Sequence, residues 1–120
     1  MLADPNRIRR GRDFTRAVRQ GRRTGRQHFV LYGYERVAEP ADSAAPRFGL
    51  IVGKAVGTAV VRHRVARRLR HVSAQLVPEI EAPTDVVIRV LPTAATASSA
   101  ELDKQLRSGL RKLGVIGARR

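Results

Sequence analysis

The longest periodic stretch of the chain lies at 58–77. Val61, Val65, Leu69, Val72 and Leu76 recur there at helical spacing and form one narrow apolar stripe. Thr58 is placed to cap the start of this helix and Pro78 to end it. Arg64, Arg67, Arg68, Arg70 and His71 fall away from the stripe. A last helix carries Leu102, Leu106, Leu110 and Leu113 on its core face, opened by the S-x-x-E capping box of Ser98 and Glu101. A short helix over 14–20 has one apolar edge, Phe14, Ala17 and Val18, with Asp13 as N-cap and Gly21 beyond its end. Its other sides carry Arg16 and Arg19.

Strand formers dominate 27–37, with Phe29, Val30, Leu31, Tyr32 and Tyr34, and two further strands are expected at 47–52 and 85–90. The composition of 39–46 marks a loop, and Gly53 and Gly57 bracket a turn that carries Lys54. The predicted order is α-β-β-α-β-α, without repeats and without a linker long enough to divide the chain, so 1–120 reads as a single domain. Residues 1–12 form a basic, irregular arm with Arg7, Arg9, Arg10 and Arg12, whose charge predicts partial disorder in the free protein. The end, 114–120, is expected to fray. Topology rules taken alone give a right-handed crossover for the unit 47–52, 58–77, 85–90.

Charge changes this picture most. Lys and Arg number 24 against 10 Asp and Glu, a formal net charge of +14 on 120 residues. Such a field draws polyanions, with a phosphate backbone as the default partner. The basic segments lack the Trp/Phe/Leu faces of membrane-surface helices, and no apolar run approaches a bilayer span. The N-terminus shows no secretory h-region. The absence of cysteine excludes a disulfide framework and a thiolate metal site, and fits a cytoplasmic location. Apart from Lys54, Lys104 and Lys112 every cationic side chain is arginine, which suits bidentate phosphate contacts but also follows from codon bias.

Arg62, Arg64, Arg67, Arg68 and Arg70 crowd one helix, and no acid lies between Asp42 and Glu79. A solvated structural face would carry glutamates four residues before such arginines. Their absence points to a polyphosphate partner. His63 and His71, eight apart, do not share a helix face and make no zinc pair, and His28 is remote from both in sequence. Asp4, Asp13, Asp85 and Asp103 are scattered, which argues against a two-metal nuclease site, and no Cys nucleophile or Ser-His-Asp set is present. No catalytic residue and no metal ligand is assigned to the protein.

The run 47–70, RFGLIVGKAVGTAVVRHRVARRLR, resembles the signature of the protein subunit of bacterial ribonuclease P. Gly49, Leu50, Val52, Lys54, Gly57, Ala59, Val60, Arg62, Arg64, Arg67 and Arg70 match that family's strand-turn-basic-helix pattern. Asn6-Arg7, Asp13-Phe14, Gly21, the segment 29–32 and the segment 85–88 extend the likeness over roughly 6–113. His63 stands where the family has Asn, Ala66 where it has Lys, Val18 where a second aromatic is common, and Thr58 where it has Asn.

The resemblance implies an α+β fold. It is an α/β sandwich like the second domain of ribosomal protein S5, with a left-handed βαβ crossover. It implies an enzyme subunit, because ribonuclease P removes the 5′ leader of precursor tRNA. Catalysis there resides in the RNA subunit, which holds the Mg²⁺ ions. The implied partners are that RNA and precursor tRNA, with neither a membrane nor a protein partner. Lys54, Arg62, His63, Arg64, Arg67, Arg68 and Arg70 would face the RNA subunit. Phe14, Val18 and Tyr32 would line the cleft for the single-stranded leader, by aromatic and cationic contacts. Tyr32 is expected to be exposed there, and Phe14 is equally readable as core. Arg7, Arg9, Arg10, Arg12, Arg16 and Arg19 would add basic contacts. A ribosomal protein of similar fold shares the charge but needs no leader cleft. A stand-alone nuclease needs clustered carboxylates. A helix-turn-helix DNA binder needs a helix, not a strand, before the basic helix.

Overall fold

The computed structural model describes residues 1–37 and 44–117. Three helices, α1 (Gly11–Gln20), α2 (Ala59–Leu76) and α3 (Ser99–Lys112), accompany four strands, β1 (Arg22–Gly25), β2 (Phe29–Glu35), β3 (Arg47–Ile51) and β4 (Thr84–Val90). The strands form one sheet in the order β1-β2-β4-β3. β1, β2 and β4 pair antiparallel, while β3 and β4 run parallel and are joined through α2.

Period-two alternation divides the sheet into two faces. Phe29 and Leu31 of β2, Phe48 of β3, and Val86, Ile88 and Val90 of β4 enter the main core. There they meet Val65, Leu69, Val72 and Leu76 of α2 and Leu102, Leu106 and Leu110 of α3. The helix stripes read from the sequence are therefore the buried ones, except that Val61 is only partly covered. The Thr58 hydroxyl accepts from the Val61 N–H at 3.3 Å, an N-cap of the kind that stabilises a helix by about 1 kcal/mol. The Ser98–Glu101 capping box is formed in both directions. Its Ser98 N–H, together with His28, holds the Glu101 carboxyl below its ordinary pKa.

The opposite face carries a smaller apolar cluster. Ile8, Ala17, Val30, Tyr32 and Val87 are buried there, with Phe14, Val18, Tyr34 and Leu91 around them. α1 supplies the cover. Gly49 makes this possible: a Cβ there would overlap the Phe14 ring, so only glycine lets the ring lie on the β3 backbone. Gly57, at φ 154°, closes the turn before α2 in a conformation that L side chains rarely adopt.

Several expectations are corrected. β1 is absent from the order predicted by the sequence pattern. It has no apolar alternation and exists by pairing with β2. α1 begins at Gly11, not after Asp13, and its N-cap is Arg10 without a side-chain cap bond. Asp13 turns instead to Arg16 and Arg47. The N-terminal segment, expected irregular, makes a 3-10 turn at Asp4–Asn6 and bridges to β3 through Arg7 and Phe48. Leu2 and Ile8 bury their side chains. Ile116 lies in the core where a frayed end was expected. Most of the predicted loop 39–46, and residues 118–120 of the tail, lie outside the described residues.

Candidate nucleic-acid interface

The outer side of α2 presents the first basic surface. Met1, Ala59, Val60, His63, Arg64, Arg67 and Arg70 line an open groove of about 760 Å³. His63, Arg67 and His71 are exposed, Arg64 is half-buried, and Lys54 stands exposed in the 3-10 turn Lys54–Val56 before the helix. Val60, at 73% exposure, is an uncovered apolar side chain among these cations. Two of the predicted contact residues also serve the fold. Arg62 donates from Nη1 to the Gly57 carbonyl at 3.1 Å, and Arg68 donates from Nη1 to the Ala97 carbonyl at 2.8 Å. Arg68 therefore does not point freely away from the apolar stripe as expected; it ties α2 to the 3-10 segment Pro92–Thr96 and its C-cap Ala97.

Several of the described carboxylates are engaged elsewhere. Asp4 pairs with Arg9, Glu79 and Asp103 with Arg107, and Glu101 with His28. Among the described residues no ion pair reaches an arginine of α2, although five arginines stand on that helix. Like charges this close repel, and a partner rich in phosphate relieves the strain.

The second surface is the α1 side of the sheet. Strand register sets its rows. Arg23, Tyr32, Val87 and Gly49 align across the four strands, and Gly25, Val30, Arg89 and Ile51 form the next row. Tyr32 is only 4% exposed, which corrects the expectation of an open ring. The Arg89 guanidinium covers it, 5.9 Å from the ring centre. Arg16 likewise sits 4.8 Å over Tyr34. Phe14 and Val18 are half-buried at the edge of α1, so the three predicted cleft residues do belong to one cluster. Arg23, Tyr34, Ile51 and Arg89 are absent from the site residues expected from the sequence. A signal for Arg89 was available: it is the charged interruption in an otherwise apolar strand. Arg10, Arg12 and Arg19 are exposed on or beside α1, while Arg9 is paired with Asp4 at 2.5 Å.

A buried ion network closes the lower end of this face. Asp85 has no exposed surface. It accepts from Arg36 Nη1 at 2.6 Å and from Arg47 Nε and Nη2, both at 2.8 Å. Arg16 Nη2 lies 3.2 Å from Asp13 and 3.6 Å from Asp85. Sequence pattern suggests a helix cap at Asp13 and a strand start at Asp85; both are hubs joining α1, β3 and β4. These two neighbouring carboxylates are saturated by guanidinium groups, and no group of three or more His, Asp or Glu side chains among the described residues could hold a metal. Their donor chemistry does not fit a resident Mg²⁺ ion.

The ribonuclease P family model matches residues 2–114. The chain is 57% identical to the ribonuclease P protein component of Rhodococcus erythropolis, over 97% of this chain and 94% of that one. It is 48% identical to the protein component of Mycobacterium tuberculosis, over 93% and 92%. The fold matches the Staphylococcus aureus RNase P protein with a TM-score of 0.80 at 23% identity, covering 93% of this chain and 98% of that one. It matches the RNase P protein of Thermotoga maritima with a TM-score of 0.73 at 20% identity, covering 93% and 98%. The chain belongs to the ribonuclease P protein family, as an RNA-binding subunit of the endoribonuclease that matures the 5′ end of tRNA.

Proposed function

We propose that the protein divides its work between the two basic surfaces. The outer face of α2, with Lys54, Arg62, His63, Arg64, Arg67 and Arg68, binds the ribonuclease P RNA subunit. The α1 side of the sheet takes the 5′ leader of precursor tRNA. The observation that carries this reading is the arginine-rich helix α2, whose arginines form no ion pair among the described residues, while Asp85, Glu79 and Asp103 pair with arginines elsewhere.

On the leader side, Arg89 and Arg23 supply phosphate contacts beside Phe14, Val18 and the Tyr32 and Tyr34 rings. Single strands are held by such mixtures of cations and aromatic faces, without reading the base sequence. Because Arg89 lies over Tyr32, a nucleotide reaches that ring only if the guanidinium moves to a phosphate. Arg10, Arg12 and Arg19 widen the field at the mouth of the cleft. The protein contributes binding and orientation. In this reading the Mg²⁺ ions needed for phosphodiester hydrolysis belong to the RNA subunit; the buried Asp85 carboxylate is already held by Arg36 and Arg47.

The test is reconstitution with ribonuclease P RNA at low Mg²⁺, following a 5′-labelled precursor tRNA. The protein alone is expected to be inert and the mixture to cut at the mature 5′ end. Cleavage by the protein alone would overturn the assignment, as would a lack of effect on the cognate RNA.

A further inference from the structure

His28 lies in the turn between β1 and β2 and is only 4% exposed. Its N–H donates to Gln105 Oε1 at 3.1 Å, and its carbonyl accepts from the Leu91 N–H at 2.9 Å. On the ring, Nδ1 is 2.9 Å from the Thr93 hydroxyl and Nε2 is 3.4 Å from Glu101 Oε2. Arg26, in the same turn, donates to the Ser108 carbonyl at 3.2 Å. Glu101, Gln105 and Ser108 stand at helical spacing, so one face of α3 receives the whole tip of the hairpin.

The hydrogen bonds around the ring dictate where its protons belong. A hydroxyl has one proton to give. That of Thr93 goes to the Gln27 carbonyl at 2.8 Å, so Oγ1 meets Nδ1 as an acceptor. Glu101 Oε2 is an acceptor as well. A neutral imidazole has a single N–H, so in either tautomer one ring nitrogen turns its lone pair on an oxygen lone pair. Only the imidazolium donates at both ends. The carboxylate is aimed at it by the capping box: Oε1 accepts from the Ser98 N–H at 3.2 Å and from the Ser98 hydroxyl at 3.3 Å, which leaves Oε2 for His28. The Ser98 N–H first, and His28 after it, hold the Glu101 carboxyl below its ordinary pKa, so it is charged wherever imidazoles titrate. The other charged groups of the packed elements are turned elsewhere or lie in solvent. Arg26 bonds carbonyls, Asp103 pairs with Arg107, Arg89 of β4 covers Tyr32, and Lys104 is exposed. The segment Pro92–Thr96 carries no charged side chain.

We propose that His28 is a proton-operated latch, which fastens the β1–β2 hairpin to α3 and to the segment Pro92–Thr96 when the imidazole is charged and loosens it when the ring is neutral. The charged ring bonds Thr93 and Glu101 together; the neutral ring keeps one of them. The sign follows from linkage. A ring that gains a carboxylate partner on folding contributes fully while it is protonated, and the contribution is lost as pH rises through its titration. The hairpin carries Arg22 and Arg23 and leads into Tyr32, so the latch governs how firmly that edge of the sheet is held. It is a property of the free protein and does not depend on the RNA-binding reading.

Amide hydrogen exchange of the intact, free protein is followed by NMR from about pH 5 to 8, the range of imidazole titration, with correction for intrinsic exchange rates. The Arg26, His28 and Leu91 amides are expected to lose protection roughly two- to fivefold as pH rises, the scale of a half-exposed ion pair, while Leu69 within α2 keeps its own. Ring ¹⁵N shifts of His28 should show both nitrogens protonated in the protected form. Glu101→Gln removes the charge and keeps the capping box, which glutamine also forms. Its amide can donate to a neutral ring, so protection no longer falls with pH. In His28→Gln the dependence should vanish. Wild-type protection that is flat across the range would overturn the latch. So would a pH dependence that persists in His28→Gln, which would trace it to His63 or His71.

Discussion

Arg47 holds Asp85 with two parallel bonds, Nε to Oδ1 and Nη2 to Oδ2, both at 2.8 Å, across the first register position of the parallel β3–β4 pair. The pair is the centre of a network in which Arg36 and Arg16 also approach the same carboxylate. Some of the arginines on this basic protein are therefore structural, and Arg16, Arg36 and Arg47 are among them.

Removing the charge while keeping the shape isolates that role. Asp85→Asn is expected to cost about 3 kcal/mol, because breaking a buried pair from one side leaves guanidinium groups short of an acceptor. Urea denaturation with an unchanged slope checks this. A cost below about 1 kcal/mol would mean that the network holds little of the fold together.

Phe14 rests on Gly49, and that contact separates its core role from its leader role. Gly49→Ala must displace the ring, at a cost of roughly 1–3 kcal/mol for overpacking. A ring pushed outward should change affinity for precursor tRNA carrying a leader and leave affinity for mature tRNA alone. Equal changes for both substrates would show that Phe14 is core only.

Arg64→Ala combined with Arg67→Ala should leave stability within about 0.5 kcal/mol, as for surface positions without a partner. The same variant should weaken binding to ribonuclease P RNA. For every phosphate that the variant no longer neutralises, the slope of log K against log salt flattens by roughly 0.7–0.9. Arg68→Ala differs, because it also breaks the bond to the Ala97 carbonyl, and a measurable loss of stability is expected. Filter binding over a salt series, beside thermal melts of each variant, distinguishes them. An unchanged salt slope would move the RNA contacts off this face.

Much of the protein is legible in local pattern. The α2 stripe, the Thr58 cap, the Ser98–Glu101 box and the leucine face of α3 depend on neighbours within a turn or two, so spacing alone places them. The basic helix shows itself by composition, and the run 47–70 carries enough fixed glycines and arginines to point to the family. Other features depend on residues far apart in the chain. β1 is a strand because β2 lies beside it; its four residues have no strand signature of their own. Asp13 gives up a helix cap worth about 1 kcal/mol for partners on its own helix and on β3. Tyr32 carries a polar tip that suggests exposure, yet register places Arg89 close enough to cover it. A small crevice lined by Arg7, Arg70 and Ser73 joins the N-terminal arm to α2 across more than sixty positions. Sequence by itself determined the three helices, three of the four strands, the charge and the family, since these follow from short-range periodicity and side-chain chemistry. Which arginines are spent on Asp13 and Asp85, and which stand free to meet phosphate, only the tertiary structure decided. That choice depends on burial and on the distances between side chains, and chain folding alone sets both.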